Sequence, residues 1–150
     1  HLYSAQYRVD PFLAVAVIKN ESNFKPEAKS KAGAMGLMQI TPETGAWIAK
    51  CTDFPNFRDS MLLKPELNIK FGCWYLAELE HEFHGNEVLM LAAYNAGRGT
   101  VKEWMKDYGW DFDFSNISQI PFSDTRIYVQ KVLDDRNSYQ NLYKKTLKNY

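Results

Sequence analysis

A chain of 150 residues has room for one domain with a single sizeable core. With 45% hydrophobic, 15% aromatic and 24% charged residues it reads as globular and not disordered. Eighteen Lys and Arg balance eighteen Asp and Glu, which argues against a nucleic-acid binder with its usual basic excess and leaves a neutral or zwitterionic polymer open as ligand.

In chain order, the first ten residues read as a short helical lead-in that stops at Asp10-Pro11. Asp10 is a good N-cap and Pro11 suits a first helical turn, so a helix is expected from Pro11 to about Ser22. Its run Phe12 to Ile18 is wholly apolar, so burial nearly all round is expected, yet the run is too short to cross a bilayer. Pro26 cannot continue the helix, and 23–36, rich in Lys, Ser, Ala and Gly, reads as an extended loop. Thr41-Pro42-Glu43 starts the next helix, which carries Trp47 and Ile48 and ends near Cys51. After a loop, Pro65-Glu66 opens a helix whose apolar residues Leu67, Phe71, Trp74, Leu79 and Phe83 recur at helical spacing up to Gly85. Asn86 caps a helix that stops at Gly97, and a shorter one follows from Thr100 to Tyr108. The aromatic stretch 109–122 has no helical period and reads as a long loop, a kind that is usually functional in a compact domain. Asp124 is expected to cap the last helix, with Tyr128, Val132, Tyr139, Leu142, Tyr143 and Leu147 as its apolar stripe. No hairpin pattern stands out, although two or three short strands fit within the loops. The expectation is a single, mainly α domain over 1–150.

One carboxylate breaks the pattern. Residues three and four apart share a helix face, so Ala14, Val17, Ile18 and Glu21 form one stripe. A carboxyl group on an apolar stripe is expected to stay protonated more readily than in water, and a protonated glutamic acid near neutral pH serves as a general acid. The plainer reading is a helix-terminal glutamate that bends to solvent or meets a lysine. The remaining acids look like caps, first-turn acids or solvated helix charges. A lone acid points away from the paired carboxylates of ordinary glycosidases and towards a reaction in which the substrate supplies the nucleophile. Two cysteines, Cys51 and Cys73, and three histidines show no metal-ligand spacing, so neither metal nor cofactor is expected. The thiols are either free and buried or joined. The chain starts at His1 and shows no signal peptide, so it reads as a processed protein or a domain cut from a longer one.

The segments Glu21-Ser22, Gly36-Leu37-Met38-Gln39, Ala93-Tyr94-Asn95-Ala96-Gly97 and Thr125-Arg126-Ile127-Tyr128-Val129 occur in the order and at the spacing of one family. Together they resemble the catalytic domain of the soluble lytic transglycosylases, over roughly Asp10 to the last helix. One such tetrapeptide is weak evidence; four in order are strong. The resemblance implies a goose-type-lysozyme-like fold and cleavage of the bond between N-acetylmuramic acid and N-acetylglucosamine in peptidoglycan. It implies a 1,6-anhydro product, with Glu21 as acid and then base. It makes Ser22, Ser30, Met38, Gln39, Tyr94, Asn95 and Tyr128 substrate-binding residues, with Met35, Met38 and Phe24 as an apolar wall for Glu21. Each has a plainer reading: packing for Met38 and Tyr128, loop hydroxyls for Ser22 and Ser30, a helix-end cap for Asn95. Many relatives carry glutamate at Asp124, so a direct role for this shorter acid stays open. In the resembled fold the helices holding Cys51 and Cys73 are neighbours, which tilts the choice towards a disulfide if the protein is extracytoplasmic. The expected partner is the peptidoglycan glycan strand, outside the cytoplasm. The rivals are a hydrolytic muramidase on the same fold and a non-catalytic peptidoglycan-binding domain.

Overall fold

The computed structural model describes residues 1–148; the last two residues of the expected 1–150 span lie outside it. Seven α-helices account for most of the described residues: α1 Leu2–Gln6, α2 Pro11–Ser22, α3 Pro42–Cys51, α4 Pro65–Glu82, α5 Glu87–Ala96, α6 Arg98–Tyr108 and α7 Ser123–Lys148. No β-strand occurs among them; the loop after α2 carries only isolated bridges, Lys29 with Met35 and Met35 with Ile40. The chain divides into two compact units, His1–Tyr75 and Leu76–Tyr150, with α4 starting in the first and ending in the second.

In the first unit, local chemistry sets the helix starts. Asp10 Oδ1 accepts the Phe12 amide at 2.9 Å and Thr41 Oγ1 the Thr44 amide at 3.2 Å, each satisfying an orphan donor of the first turn. α2 buries Leu13, Ala14, Ala16, Val17 and Ile18, but Val15 stays 36% exposed, so it is not buried all round. The 23–36 segment is a folded loop and not an extended one. Ser30 N–H donates to Ala34 O, Gly36 N–H to Ala28 O, and Met35 and Ile40 exchange both backbone bonds.

Beneath that loop lies Asn68 of α4, with no solvent exposure. Its Oδ1 accepts the Met38 amide at 2.7 Å, and its Nδ2 donates to Met35 O at 2.9 Å and Leu62 O at 2.7 Å. One buried side chain therefore satisfies three backbone groups that secondary structure leaves open. Gly36 completes the fit: its φ is +81°, and a Cβ there would lie 2.3 Å from both Asn68 Nδ2 and Leu62 O.

The expected Cys51–Cys73 bridge is absent. Both are free thiols, Cys51 exposed at the end of α3 and Cys73 buried in α4. Burial pushes the Cys73 thiol up to about 11, so its thiolate, the reactive form, is scarce at neutral pH. A thiol titration of the native protein at pH 8 should therefore read one fast equivalent, from Cys51, and a second only after denaturation. Two fast equivalents would contradict this packing.

The second unit is built on α5, in which Leu89 to Ala93 are all buried. Asn86 Oδ1 caps α5 through the Leu89 amide at 3.1 Å, as expected. Its Nδ2 donates to Phe112 O at 2.7 Å and Phe114 O at 2.6 Å, fastening the long aromatic loop. Ring contacts fasten it further: Trp110 stacks on Phe114 at 3.8 Å, and Trp104 meets Phe122 edge-on at 5.1 Å. The loop includes a short 3₁₀ turn, Ile117–Gln119.

Two boundaries differ from expectation. α6 starts at Arg98, because Val101 N–H already bonds Gly97 O. α7 starts at Ser123, because Arg126 N–H bonds Phe122 O, so Asp124 lies in the first turn and is not the cap. α7 is buried at Thr125, Tyr128, Val129 and Val132 only; Leu142, Tyr143 and Leu147 of the expected stripe are 50–59% exposed.

Candidate active site

Glu21 stands in the last turn of α2, half-buried, at the end of the stripe Ala14, Val17 and Ile18, whose members are 5%, 0% and 8% exposed. The apolar stripe that ends in a carboxyl group is thus a feature of the folded chain. Immediately after it Asn23 (φ 51°) ends the helix in the left-handed region, and Phe24 repeats that conformation at φ 64°. For Asn this is an ordinary helix end. For a bulky aromatic it is an outlier of a kind that clusters at functional sites. Phe24 is 50% exposed, so a side chain three positions from Glu21 presents apolar surface to solvent.

The other expected residues of the first unit fall into two groups. Ser22 is 7% exposed and its hydroxyl donates to Ile18 O at 3.1 Å, within its own helix. Met38 has no exposed surface and packs on Gly72 of α4, where a Cβ would meet Met38 Sδ at 2.2 Å. The Met38 side chain is therefore packed in the core. Ser30 is exposed, and its Oγ accepts the Ala34 amide at 3.0 Å. Gln39, half-buried at φ 51°, donates its Nε2 to Gly36 O at 2.8 Å and Ala28 O at 3.0 Å. That side chain staples the loop, and its amide hydrogens are spent on the protein's own backbone.

In the second unit, Tyr94 is half-buried and Asn95 exposed at the end of α5, just before Gly97 with φ +99°. Asn95 is not a free helix-end side chain: Thr125 Oγ1 of α7 donates to its Oδ1 at 2.8 Å. Tyr128 lies one turn further along α7 and is 8% exposed. The structure thus brings Asn95 and the start of α7 together. A hollow of about 550 Å³ at the other end of α5, lined by Asn86, Glu87, Phe112 and Arg136 among others, includes none of the expected residues.

Sequence reasoning gave no role to Asn68 and Thr125. The signal for Asn68 was present: it sits three and four residues before Phe71 and Gly72, so it is a polar residue on a buried helix face. Thr125 lies within one of the family segments, but its partner is 30 residues away and carries no local signature.

This helical arrangement is that of the lysozyme-like lytic transglycosylases. It matches the 70 kDa soluble lytic transglycosylase of Escherichia coli with a TM-score of 0.85 at 35% identity, over 94% of this chain and 23% of that one. It matches the lytic transglycosylase Slt of Pseudomonas aeruginosa, solved as an inactive mutant, with a TM-score of 0.83 at 35% identity over the same shares. The family described as "Transglycosylase SLT domain" matches residues 2–116, and the chain belongs to that family. Among curated proteins, the soluble lytic murein transglycosylase of Salmonella typhimurium is 41% identical over 122 residues, 80% of this chain and 19% of the relative. That of Escherichia coli is 38% identical over 133 residues, 87% and 21%. The chain therefore spans about a fifth of the length of these relatives. Among the described residues no helix is long and apolar enough to cross a membrane.

Proposed function

We propose that the chain, over 1–150, is the catalytic domain of a peptidoglycan lytic transglycosylase acting outside the cytoplasm. The observation that carries this reading is Glu21: a half-buried carboxyl group closing a buried stripe, in a chain of the transglycosylase SLT family. Its relatives are named for murein. The reaction is cleavage of the β-1,4 bond between N-acetylmuramic acid and N-acetylglucosamine.

Glu21 gives its proton to the glycosidic oxygen as the bond from that oxygen to the muramyl C1 breaks. The substrate's own acetamido carbonyl stabilises the positive charge at C1. The muramyl C6 hydroxyl then attacks C1 and its proton returns to Glu21, leaving a 1,6-anhydro ring. Proton count and charge close without water, and the internal attack gains from proximity. Tyr94, Asn95 and Tyr128 contact the sugar in this reading, with Ser30 near its acetamido group. Ser22, Met38 and Gln39 are the further substrate-binding residues of this reading; within the first unit Ser22 Oγ bonds Ile18 O and Gln39 Nε2 bonds Gly36 O and Ala28 O.

The test is a digest of purified peptidoglycan with products weighed by mass spectrometry. Muropeptides with anhydro ends, one water lighter than reducing sugars, are expected. Reducing ends would keep fold and acid but make the domain a muramidase. Pelleting with the wall without any product would make it a binding domain.

A further inference from the structure

We propose that Thr125 is the positioning residue for Asn95, setting which edge of that amide faces the sugar. The inference rests on the reading of Asn95 as a sugar contact. The two residues differ in exposure. Asn95 is exposed at the end of a helix, where a side-chain amide ordinarily samples several rotamers at little cost. Thr125 is 1% exposed, within the first turns of α7. A bond of 2.8 Å from the buried hydroxyl to Asn95 Oδ1 ties the exposed group to the buried one.

The chemistry of the amide then follows. An asparagine offers an oxygen acceptor on one edge and an NH₂ donor pair on the other. Thr125 bonds the oxygen edge through one of that oxygen's two lone pairs, so the NH₂ pair is the edge without a bond to Thr125, and it suits an acceptor such as an acetamido carbonyl or a sugar hydroxyl oxygen. Without the hydroxyl, the amide is free to flip and to present the wrong edge.

The base of this arrangement is itself held. Arg126, the next residue, donates from Nη1 to Ile120 O at 2.6 Å and to Pro121 O at 3.4 Å, and its amide bonds Phe122 O at 3.0 Å. Val129 and Val132, on the same helix, have no exposed surface. The hydroxyl therefore has a fixed origin from which to aim Asn95.

The test compares Thr125→Val, which keeps the volume and loses the hydroxyl, with Thr125→Ser, which keeps the hydroxyl. Each is made alone and in an Asn95→Ala background, with muropeptide release and thermal melting measured. Thr125→Val is expected to lower kcat/KM about tenfold, the worth of one ordinary hydrogen bond, while Thr125→Ser stays within about twofold of wild type. In the Asn95→Ala background Thr125→Val should cost nothing further, because the group it aims is gone. Melting should move little, since the lost partner is an exposed amide that water satisfies. Thr125→Ala makes the same comparison should the valine variant not fold. Full activity in Thr125→Val beside a defective Asn95→Ala overturns the positioning role and leaves the reading of Asn95 standing. Full activity in Asn95→Ala overturns that reading first. Losses that simply add would place the effect of Thr125 elsewhere and overturn the proposal.

Discussion

Glu21→Gln should lower muropeptide release at least about a thousandfold while the protein melts where the wild type does. The two side chains have nearly the same shape, so the half-buried position at the end of α2 keeps its packing. What is lost is the proton. General acid–base catalysis by one positioned group contributes typically 10²–10⁴-fold. In the proposed reaction the same carboxyl group acts twice, as acid on the leaving oxygen and as base on the C6 hydroxyl, so the loss should lie in the upper part of that range. The amide cannot replace the acid, because it neither gives up nor takes a proton near neutral pH. Glu21→Gln should still bind glycan strands, and pelleting with insoluble peptidoglycan checks this. A variant within tenfold of wild-type activity would remove Glu21 from the chemistry.

The second large effect is on stability. Asn68→Leu should destabilise the domain by about 4 kcal/mol, read as a lower urea midpoint at unchanged slope. The side chain is wholly buried and serves Met38 N–H, Met35 O and Leu62 O. Leucine fills similar space and leaves all three groups without a partner, at roughly 1–3 kcal/mol each before relaxation. Even the lower end is a large share of the 5–15 kcal/mol that holds a typical domain together. Because Asn68 underpins the turn from Met35 to Met38, and Gln39 staples the same turn, this variant should also lose activity below its melting point. A loss under 1 kcal/mol would mean that the turn holds itself.

The helices were legible where their ends are written in local chemistry. Asp10, Thr41 and Asn86 each cap the helix that the sequence assigns to them, through bonds spanning two or three residues. Reading failed where the deciding bond was not in the pattern. Asp124 looks like a cap, but Phe122 O already accepts the Arg126 amide, so α7 begins ahead of it. Gly99 looks like a loop residue, yet α6 runs through it from Arg98.

Within the candidate site, the stripe ending in Glu21 was visible as a 3.6-residue period interrupted by a charge. The duties of Gln39, Asn68 and Thr125 were not, because each has a partner distant in sequence: Ala28 lies 11 residues from Gln39, Met38 lies 30 from Asn68 and Asn95 lies 30 from Thr125. The cysteines show the same limit. Neighbouring helices made a bridge conceivable, but a disulfide needs the two side chains to face each other. Here Cys51 points to solvent and Cys73 into the core.

The most direct test of the account is a digest of purified peptidoglycan by the wild-type chain in ¹⁸O-enriched water. If the muramyl C6 hydroxyl completes the reaction, the released muropeptides carry anhydro ends and no ¹⁸O at C1. If water completes it, each new reducing end carries one ¹⁸O, and the single-acid, waterless mechanism assigned to Glu21 is contradicted.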